Sequence, residues 1–73
     1  MENMLVLASE SHSTDGCDRV VLVGDQVIVQ GKPHAGYPQG TPIRVPPGAT
    51  LNTISADVFL AAARELQRLR DQQ

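Results

Sequence analysis

The side chains able to do chemistry gather in one polar stretch. Ser9 to Asp18 reads SESHSTDGCD and places His12, Asp15, Cys17 and Asp18 close together in the chain. A second histidine, His34, follows in a glycine- and proline-rich stretch that also holds Tyr37. Imidazole, thiolate and carboxylate together are the ligand set of a soft or borderline metal ion. The spacing matches none of the common zinc patterns, which pair CxxC or HxxxH units. A polar loop that carries His and Cys accounts for these residues, and no cofactor is expected. Cys17 with His12 or His34 is also the pair a thiol nucleophile and its base require. Such a site needs an orienting third residue and an oxyanion hole, and neither is visible. Asp15 and Asp18, if near in space, would disfavour the thiolate by like charge. Gly36 and Gly40 belong to neither a GxGxxG nor a Walker pattern, so no phosphate cradle is written here. The expectation is a protein that is not an enzyme.

A different set of residues is suited to binding. Arg64 and Arg68, with Leu60, form one exposed line on a helix, a surface for an acidic partner or a phosphate. A solvated helix face accounts for the same line. With His34 and Tyr37 they are the candidate partner-binding residues. Arg19, Lys32 and Arg44 lie elsewhere in the chain.

The elements that must position these residues are few. A chain of 73 residues makes one domain, expected over 1–73. A domain of that size buries only about 60% of the surface its unfolded chain exposes. Small domains commonly make up the shortfall with a disulfide, a metal or a second subunit. The one cysteine rules out an internal disulfide, so self-association is the remaining route. The net charge is −2, from 6 basic and 8 acidic residues, which does not support nucleic acid as a partner. Tyr37 and Phe59 are the only aromatic residues, too few for a base-stacking surface. No apolar run is long enough for a membrane span or a signal core, so the default is a cytoplasmic protein with a reduced thiol.

The central element is Arg19–Gln30, RVVLVGDQVIVQ. Two β-branched runs flank Gly24-Asp25, which predicts a hairpin with a two-residue turn. Val23 then faces Gln26, Leu22 faces Val27, Val21 faces Ile28 and Val20 faces Val29. One side of the ribbon carries Val20, Leu22, Val27 and Val29. The other carries Val21, Val23 and Ile28, with only Gln26 polar. A hairpin with one solvated face would alternate apolar and polar. This one does not, so its sheet is either covered on both sides or curled into a barrel.

Met4–Ala8 predicts a first strand, Thr41–Val45 a further strand, and Ala49–Leu51 a short extended piece. Stretches 9–18 and 31–40 are expected as flexible loops. A helix is predicted over about 55–70: Ser55 is a suitable N-cap and Asp57 suits the first turn. Val58, Phe59, Ala62, Ala63, Leu66 and Leu69 fall on its apolar stripe. Residues 71–73 are expected to fray. The fold class is therefore α+β: a small, bent antiparallel sheet of 3–5 short strands, a central hairpin over 19–30, and one C-terminal amphipathic helix.

Two families resemble parts of this outline. Met4-Leu5-Val6-Leu7, then Leu22-Val23-Gly24-Asp25-Gln26-Val27, then a C-terminal helix, is similar to the carbon storage regulator family. That resemblance implies an intertwined β dimer that binds RNA. The basic residues which that family carries after its first strand are here Ala8-Ser9-Glu10-Ser11, and its basic patch before the helix is Asn52-Thr53-Ile54-Ser55. Gly24–Gly31, followed by Gly36, Gly40 and Ile43, resembles the KOW motif of SH3-like barrels. Both likenesses centre on the hairpin and imply a nucleic-acid-binding small β-barrel, the alternative function. The first expectation is an interaction or adaptor protein that acts through a protein-binding surface, as a homo-oligomer or on another protein. The size also fits a phage or mobile-element accessory protein.

Overall fold

The computed structural model describes residues 3–10 and 18–72. Along the chain come β1 (Met4–Ser9), β2 (Arg19–Val23), β3 (Gln26–Gln30), β4 (Lys32–Pro33), β5 (Asn52–Thr53) and α1 (Ala56–Asp71). β1, β2 and β3 form one antiparallel sheet in that order, and β4 pairs with β5 in a second. The class is α+β, and the described strands do not close into a barrel.

The hairpin has the predicted register, from Val23 opposite Gln26 to Arg19 opposite Gln30. Gly24 has φ 62° and, among the described residues, none other than glycine has a positive φ, so the positive angle falls on the first turn position alone. That is the II′ arrangement, whose twist matches the flanking strands. β1 pairs with β2 through an irregularity: Val6 faces Val21 but Ala8 faces Val20, leaving Leu7 as an extra residue. A bulge of this kind turns two successive side chains toward one face. Leu7 is buried and Ala8 packs against the same core.

α1 begins as its sequence dictates. Ser55 Oγ accepts a hydrogen bond from the Asp57 backbone N–H at 3.2 Å, and Asp57 sits in the first turn. The helix runs through Asp71, where Gln67 Nε2 donates to Asp71 Oδ1 at 2.9 Å. Its N-terminus is fixed to the sheet by Asp18, whose Oδ2 accepts from the Ser55 backbone N–H at 2.7 Å. The helix lies over β1 and β2. The core beneath it is Leu7, Val20, Val58 and Ala62, with Leu22, Ile54, Leu66 and Leu69 packed around them.

The 41–51 stretch departs from expectation. The predicted strand over Thr41–Val45 is not formed, and residues 43–50 are exposed. Pro42, Pro46 and Pro47 each lack a donor, so this stretch cannot complete a ladder. The extended pairing falls instead on β4 and β5, each of two residues, and is continued by the His34 N–H donating to the Leu51 carbonyl at 3.0 Å. β4 lies inside the stretch expected to be a loop.

Candidate functional site

The sheet has two faces of unequal fate. α1 covers the inner face where β1 and β2 present Leu7, Ala8, Val20 and Leu22. The outer face has no helix on it. By register it carries Met4, Val6, Val21, Val23 and Ile28. Val21, in the central strand, is buried, but Met4 is 69%, Val6 52% and Ile28 53% exposed. Three large aliphatic side chains on one sheet face thus stand in solvent.

The inner face is also incomplete. Because α1 lies over β1 and β2, Val27 and Val29 of β3 are left exposed beside it. Between β3 and α1 runs an apolar groove of about 270 Å³. Leu7, Val20 and Ala62 form its floor, Val27 and Val29 one side, and Phe59, Ala63 and Leu66 the other. Phe59 belongs to the predicted apolar stripe, yet it is 64% exposed, on the flank of the helix that meets no strand. Among the described residues no side chain is fully buried. The accessible surface is 6142 Å², against roughly 4400 Å² expected for a compact monomer of this mass.

The polar candidates fall into two groups, one on α1 and one on the stretch after β4. Leu60, Arg64 and Arg68 fall on exposed positions of α1, as expected. Arg68 pairs one turn back with Glu65: its Nε donates to Glu65 Oε1 at 3.0 Å and its Nη2 contacts the same oxygen. That hydrogen bond holds the Glu65 carboxyl below the usual carboxylate range and raises the Arg68 guanidinium. Arg64 pairs with none of the described residues. His34 and Tyr37 are exposed on the stretch after β4, and no hydrogen bond or ion pair joins them to the arginines.

His12, Asp15 and Cys17 lie outside the described residues. Asp18, the one described residue of that sequence cluster, accepts the Ser55 N–H at the start of the helix. The described residues hold no group of three His, Cys, Asp or Glu side chains placed to share a metal ion. No helix is long and apolar enough to cross a membrane. No protein-family model, curated protein or solved structure matches the chain.

Proposed function

We propose that this protein is a non-catalytic interaction module whose working form is a homo-oligomer. The observation that carries this reading is the uncovered outer face, with Met4, Val6 and Ile28 each more than half exposed. Apolar surface of this kind is excluded from water at roughly 25 cal/mol per Å² covered, so a second chain laid on it gains what this chain's single helix cannot supply. Five residues are buried among those described, which makes a small core, and association is the common remedy for one.

In this reading Leu60, Arg64, His34 and Tyr37 remain available to a further protein partner, because they lie off the apolar surfaces. The test is sedimentation velocity over a micromolar concentration series. Species of at least two 7.8 kDa chains are expected. A single 7.8 kDa species throughout the series refutes the reading.

A further inference from the structure

β3 is an edge strand: β2 pairs with one side of it, and no described residue pairs with the other. Its five residues are all exposed. They read Gln26-Val27-Ile28-Val29-Gln30, the same in both directions about Ile28. Edge strands are ordinarily guarded against pairing by a charge, a proline or a bulge. β3 has none of the three.

The hydrogen-bonding parity of the hairpin adds a second observation. In an antiparallel pair, residues that exchange hydrogen bonds alternate with residues that do not. The two-residue turn makes Val23 and Gln26 an exchanging pair, so Gln26, Ile28 and Gln30 turn their backbone groups toward β2. Val27 and Val29 turn theirs to the open side.

We propose that β3 pairs antiparallel with β3 of a second copy about a twofold axis at Ile28, joining two three-stranded sheets into one of six strands. The proposal rests on the homo-oligomer reading and adds to it a contact at the sheet edge, one that meets Ile28 but leaves Met4 and Val6, on the opposite edge strand, to the outer-face contact. A twofold contact requires a surface complementary to itself, and the palindrome supplies one. Val27 of each copy meets Val29 of the other, and these are the residues whose N–H and C=O groups are turned outward. Ile28 meets Ile28 as a non-exchanging pair, in which side chains approach most closely. Gln26 meets Gln30, amide to amide. At each end the register sets Asp25 opposite Gly31 and beside Lys32 of the other copy, an acid next to a base. The axis is perpendicular to the sheet, so both helices lie on the same side. Each groove over Val27 and Val29 then gains the other copy's valines as its continuation.

Engineered disulfide trapping tests the register. In a Cys17→Ser background, Ile28→Cys places two thiols at the twofold axis, within the Cα separation a disulfide accepts. Val6→Cys, on the other edge strand, serves as control. Mild oxidation is expected to convert most of the Ile28→Cys chain to covalent dimer and little of the Val6→Cys chain. In parallel, Val29→Pro removes an N–H that β2 does not use, and is expected to lower the sedimenting mass to one chain while far-ultraviolet circular dichroism stays unchanged. An oligomeric mass with no trapping at Ile28→Cys, or with equal trapping at Val6→Cys, overturns the β3 pairing and leaves the homo-oligomer reading standing. A monomeric wild-type mass overturns both.

Discussion

Gly31 joins β3 to β4 at a point where no side chain fits. A Cβ built on it would lie 2.2 Å from the Thr53 carbonyl oxygen and 2.6 Å from Ile54 Cγ2. The Ile54 methyl can rotate away. The carbonyl cannot, because Thr53 is held in register opposite Lys32 and its neighbour Asn52 opposite Pro33. Relief requires β5 to move by about 1 Å, which in turn shifts Ile54 and Ser55 at the start of α1 and strains the Asp18 bond to the helix cap. Forcing extra atoms into a packed site costs about 1–3 kcal/mol, and a rigid backbone obstacle places Gly31→Ala toward the upper end. For a domain of this size 1 kcal/mol shifts the midpoint by about 4–8 °C, so the melting temperature should fall by roughly 10–20 °C. The assay is thermal unfolding followed by circular dichroism at 222 nm, with wild type and variant at one protein concentration, since association makes the midpoint concentration-dependent. A Gly31→Ala midpoint within 2 °C of wild type would refute the close approach of β4 and β5 on which this rests.

Other substitutions test other joints. Ser55→Ala removes the hydroxyl that accepts from Asp57 and should cost about 1 kcal/mol, read as a lower urea midpoint with unchanged slope. Asp18→Ala leaves the Ser55 N–H without its carboxylate and should cost about 1.5–3 kcal/mol; its melting curve should fall further than that of Ser55→Ala. The Glu65 carboxyl is depressed by its hydrogen bond from Arg68, so its small contribution is present above the ordinary carboxylate range and is lost as pH falls through the folded value. An NMR titration of Glu65 should give a midpoint below the usual range, and Arg68→Ala should return it there.

The elements specified by local chemistry were legible in the sequence. The hairpin register follows from a two-residue turn with glycine first, because loop length and turn type leave one alignment of the flanking strands. The helix follows from Ser55, Asp57 and an uninterrupted apolar stripe. What was not legible depends on contacts distant in sequence. The bulge at Leu7 exists to serve the core under α1, and nothing in Met4–Ala8 alone announces it. β4 and β5 are two-residue pairings across an 18-residue connection, too short to leave a pattern, whereas Thr41–Val45 alternates yet forms no strand among its prolines. The helix stripe revealed that Phe59 is apolar but not that α1 would sit over β1 and β2 and leave Phe59 on the side of a groove.

The candidate site shows the same division. That both hairpin faces are apolar could be read from cross-strand pairing alone. Which face the helix takes could not, and neither could the use of Asp18 as a brace for the helix cap. The palindrome in β3 was in plain view, but it has meaning only once β3 is an open edge.

The native mass bears most directly on the account, measured by sedimentation equilibrium on wild type beside Ile28→Lys. Ile28 lies both on the uncovered outer face and at the middle of the open edge, and it is exposed enough for a lysine to be tolerated in a single chain. The wild-type chain should sediment at two or more times 7.8 kDa and the Ile28→Lys chain at 7.8 kDa with an unchanged circular dichroism spectrum. A wild-type chain that is monomeric at micromolar concentration would contradict the account, as would an Ile28→Lys chain whose mass equals that of an oligomeric wild type.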